Sequence, residues 1–243
     1  MVGVILAAGR GTRLGAAAKG LPKCMVDVGG KPLIDTMFER LEEAGIASVV
    51  VVHGYQGEKL IDHVQGIPTP LAGKATFVAN PKFRDWGNFY SLLVAEEAIG
   101  GRSFVKLDAD VLLDNRVLPC LLEASGPAVL AVDRSGPLGE EEMKVRVNSD
   151  GQICALNKGM QPREALGESL GIDRIDSQLN FLLFETLREL IDRGETHEYY
   201  ERAYELMMSR GTLFHGADVT DCCWQEVDTP SDLEAAEKLA KAL

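Results

Sequence analysis

Over the first 135 residues, short apolar runs alternate with stretches of helical period. Val2 to Ala7 is continuously apolar, rich in β-branched residues and stopped by glycines, the pattern of a strand buried on both faces. Pro32 to Ala44 places Leu33, Ile34, Met37, Phe38 and Leu41 on one face ahead of Gly45, which predicts an amphipathic helix. Ala47 to Val52 predicts a second strand, Lys59 to Val64 a short helix and Ala75 to Ala79 a third strand. Asn88 to Ile99 predicts a helix ended by Gly100-Gly101, and Ser103 to Leu107 a fourth strand. Val117 to Ala124 predicts a helix and Ala128 to Asp133 a strand. Such alternation predicts an α/β fold with a mainly parallel sheet.

The pattern changes after about Gly136. Met143 to Asn148 and Gln152 to Asn157 alternate around Ser149-Asp150-Gly151, which predicts a hairpin. Gln178 to Arg193 and Glu198 to Ser209 read as helices, and Gly211 to Ala217 and Cys222 to Val227 as short strands. Pro230 to Leu243 predicts a last helix, with Thr229 as its cap. No repeat, low-complexity stretch or linker interrupts the chain, so a single domain over residues 1–243 is expected.

The formal net charge of -12 disfavours nucleic acid as a partner. An acidic chain that handles small phosphates would place a divalent cation between its carboxylates and the phosphate. The five cysteines, Cys24, Cys120, Cys154, Cys222 and Cys223, lack metal-type spacing and are expected as buried thiols in a reducing cytosol. No apolar run reaches membrane-spanning length, so a cytoplasmic protein without a membrane partner is expected.

Directly after the first apolar run comes Leu6-Ala7-Ala8-Gly9-Arg10-Gly11-Thr12-Arg13. Its small residues let backbone N–H groups approach a ligand, and Arg13 supplies a forked cation suited to phosphate oxygens. Lys23, stiffened by Pro22, offers a second positive charge. A dinucleotide fingerprint fails because Leu14 stands where its third glycine is needed, and a P-loop fails for want of Gly-Lys-Ser/Thr. On the glycines alone, an ordinary strand-to-helix turn fits as well.

L-A-A-G-x-G-T-R, then Pro22-Lys23, then Gly30-Lys31-Pro32-Leu33 resembles the signature of the nucleoside-diphosphate-sugar pyrophosphorylase superfamily. The resemblance implies a Rossmann-like three-layer sandwich with a mixed, mainly parallel central sheet. It also implies a loop that wraps a nucleoside triphosphate, Arg13 and Lys23 as charge-stabilising residues, and base contacts near Ala7 and Ala8.

Asp108 and Asp110 follow the fourth strand, at the sheet edge where open α/β folds bind ligands. Their spacing allows a shared metal, and a solvated turn is the plainer reading. Glu226-Val227-Asp228-Thr229-Pro230 is, by itself, a common helix start. The superfamily resemblance maps Mg²⁺ ligation onto Asp110 and Asp228, with Asp108 and Glu226 as neighbouring or alternative ligands.

Asn88 and Ser91, three apart at a helix start, are expected to face the nucleotide, although an ordinary cap explains Asn88 equally well. The string Asn88-Phe89-Tyr90-Ser91-Leu92, with Asp108-Ala109-Asp110-Val111, resembles the cytidylyltransferase branch that acts on phosphocholine and related acceptors. Lys158 and Gly167-Glu168-Ser169-Leu170-Gly171-Ile172 extend that resemblance to the inositol-1-phosphate enzymes. Lys158 is either an acceptor-phosphate cation or a surface lysine. Glu168 either binds an acceptor hydroxyl or amine or caps a turn. Met143 stands where an aromatic cage residue for a quaternary ammonium would be sought; Tyr199 and Tyr200 either contribute to such a cage or, the plainer reading, pack as helical core.

The expectation is therefore an Mg²⁺-dependent transfer of CMP from CTP to the phosphate or phosphonate of a small polar acceptor: phosphocholine, 2-aminoethylphosphonate or inositol-1-phosphate. Residues to about 135 would bind the nucleotide, about 136–228 the acceptor, and 229–243 would form the closing helix; a homodimer is permitted. A sugar-1-phosphate nucleotidyltransferase using UTP, dTTP or GTP, and a non-catalytic nucleotide-binding regulatory domain, are the alternatives.

Overall fold

Burial on both faces explains why β1 (Val2–Ala7) is uniformly apolar: Val2 and Val4 pack into one core cluster, Ile5 and Ala7 into another. The structure, a computed structural model, describes residues 1–243. In chain order β2 (Asp27–Val28) and β3 (Lys31–Pro32) form a small ribbon ahead of α1 (Leu33–Glu43). β4 (Ser48–His53), α2 (Gly57–Gly66) and β5 (Ala75–Ala79) follow, then α3 (Phe89–Val94) and α4 (Glu96–Ile99). Next come β6 (Phe104–Asp108), β7 (Val111–Leu113), α5 (Val117–Glu123) and β8 (Ala128–Asp133). The remainder is β9 (Lys144–Val147), β10 (Ile153–Asn157), β11 (Gly167–Ile175), α6 (Asn180–Asp192), α7 (Glu201–Ser209), β12 (His215–Asp218), β13 (Trp224–Glu226) and α8 (Pro230–Ala240).

Nine strands form one sheet in the path β10-β9-β11-β6-β1-β4-β5, with β8 and β12 joined through β11. Only β10 and β11 run against the other seven, so the sheet is mixed and mainly parallel. Residues of α1, α2 and α5 fill the cluster on one face, and residues of α3, α6 and α7 the cluster on the other. Three layers result, as expected for helices covering both faces of a parallel sheet. A third, smaller cluster joins Leu14 and Ala18 of the first loop to Val227 and to Ala236 of α8.

Several elements depart from the sequence reading. The long helix expected over residues 88–99 is divided at Ala95, whose N–H bonds Leu92 O in a tightened turn. β11 was not anticipated, because Glu168, Asp173 and Arg174 break any apolar pattern. Those charges are tolerated in the sheet because Lys106 sits 2.9 Å from Asp173, and Arg174 donates to the carbonyls of Leu122 and Gly126. Cys222 and Cys223 precede the last strand instead of lying in it, since Cys223 is held against Asp114 through its N–H and its carbonyl. All five cysteines are free, but only Cys24 is buried as expected; Cys120, Cys222 and Cys223 are half-buried and Cys154 is exposed. No helix is long and apolar enough to cross a membrane.

Candidate active site

The loop after β1 turns back on itself at Gly11, whose positive φ of 61° suits glycine and whose missing Cβ leaves room for the Lys23 side chain. Leu14, at the position where a dinucleotide fingerprint would carry glycine, is fully buried and anchors the loop in the third cluster. Arg13 and Lys23 thereby reach one end of an open cleft of about 230 Å³.

Two acidic elements meet there because β7 and β13 pair antiparallel, with Val111 opposite Glu226, and because Val227 N donates to Asp110 O. The pairing brings carboxylate oxygens of Asp110, Glu226 and Asp228 within 4.8 Å of one another. Lys23 Nζ lies 2.6 Å from Asp110 Oδ2 and also bonds Asp228, which Arg13 pairs from its other oxygen. Burial and then the charges of Asp110 and Asp228 push the Glu226 carboxyl up to about 8. Asp228 is held below its usual range: burial opposes ionisation there, and Lys23 and Arg13 overcome it. Burial likewise works against the Lys23 ammonium, and Asp110 and Asp228 outweigh it. Three convergent carboxylates are hard oxygen donors of the kind Mg²⁺ takes, so the residues present fit that ion.

Asp108, at the end of β6, accepts from Tyr200 Oη at 2.7 Å. Lys106 Nζ is 3.5 Å from its other oxygen, 2.9 Å from Asp173 and 3.6 Å above the Tyr200 ring. Burial moves Asp108 up to about 6 despite Lys106. Gly171, at φ 70°, passes so close that a side chain there would run into the Asp108 carboxylate.

Most of the residues selected from sequence share this cleft. Leu6, Ala8, Gly9 and Arg13 line it from the loop, Asn88 and Ser91 from α3 and its start, and Asp108, Asp110 and Glu226 from the strand ends. Met143, Lys158 and Glu168 form the opposite side. Ala7 and Lys23 border a smaller adjoining hollow of about 40 Å³, while Gly11, Thr12 and Asp228 line neither space; Asp228 meets the site through Arg13 and Lys23. Asn88 and Ser91 also have protein partners: Asn88 accepts from Tyr200 N, and Ser91 from the Asn80 amide.

Sequence reasoning passed over Lys106, Glu141, Glu201 and Trp224, and it read Tyr199 and Tyr200 chiefly as helix packing; Tyr200 is buried, whereas Tyr199 precedes α7 and is 47% exposed. Tyr199, Glu141, Glu201 and Trp224 line the cleft, so it does carry aromatic rings. Glu141 lies 3.5 Å from Arg13 and 3.6 Å from Lys158, tying the loop to the far wall. The one available signal was Lys106 itself, a lysine in the middle of a strand otherwise patterned for full burial. Glu168 is pushed up to about 7 by burial and then by Glu142 and Asp133, against Lys144 and Lys158.

The family model described as MobA-like NTP transferase domain matches residues 3–179. The chain is 30% identical over 246 residues to CMP-5'-(3-aminopropyl)phosphonate synthase of Streptomyces rubellomurinus, covering 96% of this chain and 38% of that protein. It is 38% identical over 112 residues to choline-phosphate cytidylyltransferase of Streptococcus pneumoniae, 45% of this chain and 44% of that one. The chain thus spans less than half the length of the first of these, and the second matches over less than half of either chain. The inositol-1-phosphate CTP transferase structure from T. maritima superposes with a TM-score of 0.80 at 22% identity, over 99% of this chain and 94% of that one, which shows the fold.

Proposed function

Since the chain belongs to the MobA-like NTP transferase domain family, we propose that it is a nucleotidyltransferase that moves CMP from CTP to the phosphate or phosphonate of a small polar acceptor. The observation that carries this reading is the meeting of Arg13 and Lys23 with Asp110, Glu226 and Asp228 at one end of the cleft. Phosphate-binding cations and metal-binding carboxylates are both required there, because the transferring group and its leaving group are polyanions. The likeness to two proteins named for CMP or cytidylyl chemistry supports cytidine as the base.

An oxygen of the acceptor phosphate or phosphonate attacks the α-phosphorus, the new P–O bond forms, and the bond to the bridging oxygen breaks as pyrophosphate leaves in line. Asp110 and Asp228, with Glu226 beside them, are the residues that would hold Mg²⁺, which supplies charge neutralisation to phosphate oxygens. Arg13 neutralises the leaving-group side and Lys23 the α-phosphate. Lys158 meets the acceptor phosphate from the opposite wall. No general base is needed, since the acceptor is already ionised near neutral pH. The reading includes a cytoplasmic setting without nucleic acid or membrane partners.

The test is pyrophosphate release from CTP, UTP, ATP, GTP or dTTP with Mg²⁺ and phosphocholine, 2-aminoethylphosphonate, inositol-1-phosphate or glucose-1-phosphate. Release with CTP and an alcohol phosphate or phosphonate is expected. Release only with glucose-1-phosphate and another nucleotide would make the chain a sugar-1-phosphate nucleotidyltransferase. Nucleotide binding without release from any pair would point to a regulatory domain.

A further inference from the structure

The walls of the cleft carry more negative charge than the chain itself balances. Asp110 is paired by Lys23, and Glu141 lies near Arg13 and Lys158. Asp108 is held by Tyr200 and Lys106, and Glu226 belongs to the metal-type cluster. Two carboxylates of the cleft remain without such a partner: Glu168 on β11 and Glu201 at the first turn of α7.

Glu201 is 7% exposed, and its Oε2 is buried with no hydrogen-bond partner. It belongs to a buried group in which Asp108, Asp173 and Glu201 share the single ammonium of Lys106. Lys106 spends its closest approach on Asp173 and on the Tyr200 ring, so Glu201 receives only a distant share of it. Glu168 faces Glu142 and Asp133; two lysines act on it, but neither forms an ion pair with it, since Lys144 is taken up by the carbonyls of Glu142 and Lys158, and Lys158 Nζ lies 3.6 Å from Glu141. Burial pushes the Glu168 carboxyl up to about 7 and the Glu201 carboxyl up to about 8, as expected where negative charge is in excess.

We propose, on the reading that this cleft transfers a nucleotidyl group, that its wall between β11 and the start of α7 is a subsite for a cationic nitrogen carried by the acceptor, anchored by Glu168 and Glu201. A positive nitrogen there adds the charge that the carboxylates lining this wall lack, beside the Tyr199 ring, over which Lys158 Nζ already lies at 5.4 Å. A divalent metal fits less well. Unlike Asp110, Glu226 and Asp228, neither glutamate belongs to a group of three or more convergent carboxylate, histidine or cysteine ligands. A neutral polyol would leave the buried carboxylates uncompensated. The acceptor class is therefore an aminoalkyl phosphate or phosphonate, with a primary or quaternary nitrogen, in preference to a sugar phosphate.

Two isosteric pairs test this on the full chain with Mg²⁺ and CTP: 2-aminoethylphosphonate against propylphosphonate, and phosphocholine against 3,3-dimethylbutyl phosphate. Binding by calorimetry and kcat/KM are both read, with glucose-1-phosphate and inositol-1-phosphate alongside. The cationic member of at least one pair is expected to win by about thirtyfold or more, chiefly in KM, as for loss of a buried charge partner. Glu168→Gln and Glu201→Gln, shown folded by circular dichroism, should shrink that ratio to within a few-fold. No cationic preference in either pair, a ratio untouched by both substitutions, or turnover confined to the sugar and inositol phosphates overturns the subsite. Absence of both nucleotide binding and pyrophosphate release removes the transferase reading instead, and the binding preference still decides the subsite.

Discussion

Lys23 Nζ lies 2.6 Å from Asp110 Oδ2 and at the same time bonds Asp228, so one ammonium sits where two carboxylates of a metal-type cluster converge. A cation entering that cluster and the lysine compete for the same oxygens. Lys23→Met should therefore raise the affinity for Mn²⁺ without nucleotide, on the order of tenfold, while turnover falls by about a hundredfold or more. Electron paramagnetic resonance of free Mn²⁺ and a pyrophosphate assay read the two effects. Unchanged Mn²⁺ affinity would mean that the lysine does not contest the site.

Asp110→Asn removes a charged oxygen donor without emptying space in the core, because Asp110 is only partly buried. Turnover should fall by about two orders of magnitude or more, with the unfolding midpoint nearly unchanged. A folded variant with ordinary turnover would take Asp110 out of the metal site.

Glu168, Glu201 and Glu226 have folded-state values of about 7, 8 and 8, all above the ordinary carboxyl value. The folded chain therefore binds protons that the unfolded chain has released. Each group contributes stability that is fully present below about pH 4.5 and is lost as pH rises through its folded value. Without metal or substrate, the melting temperature should fall by about 5 °C or more between pH 5.5 and 8.5. Added Mg²⁺ should recover the share due to Glu226. A melting temperature that is flat or rises over this window would contradict the burial of these carboxyls.

Tyr200→Phe keeps the ring over Lys106 and removes only the hydroxyl that donates to Asp108. The buried carboxylate loses a partner at a cost of about 1–3 kcal/mol. Chemical denaturation measures that cost. The accompanying loss in kcat/KM should exceed that of Tyr204→Phe, whose hydroxyl serves Asp173, deeper in the core.

Thr229 caps α8: its hydroxyl accepts from Asp232 N, and the Asp232 carboxylate accepts from Thr229 N at 2.8 Å and from Asp228 N at 3.1 Å. Thr229→Ala should cost about 1 kcal/mol. It should also weaken turnover, because the same box fixes the backbone of Asp228. Stability lost with turnover intact would separate the cap from the site.

Much of the parallel core was legible because each strand there is buried on both faces and each helix on one. That pattern placed the ends of β1 and β6, and so brought Arg13, Asp108 and Asp110 to one edge. Thr229 and Pro230 likewise announced α8, and the superfamily resemblance singled out Asp228 just ahead of it. What stayed hidden depends on pairing across long separations. β11 carries Glu168, Asp173 and Arg174 inside the sheet, and only the facing Lys106 and the carbonyls of Leu122 and Gly126 make it a strand. Tyr200 was read as helix packing because its ring is indeed core, and its hydroxyl matters only once Asp108 is seen 2.7 Å away. The separate identities of Cys222 and Cys223 gave no hint of Asp114, which draws Cys223 out of the last strand.

The small cluster that joins Leu14 and Ala18 to Val227 and Ala236 makes the loop bearing Arg13 depend on contacts between residues far apart in sequence. Closing so long a stretch of chain costs entropy that only later packing offsets, so contacts of this kind form slowly. Val26, Val28, Leu33 and Leu112 of the same cluster give Leu14 nearer partners, and the helix bearing Ala236 completes an anchor they have begun.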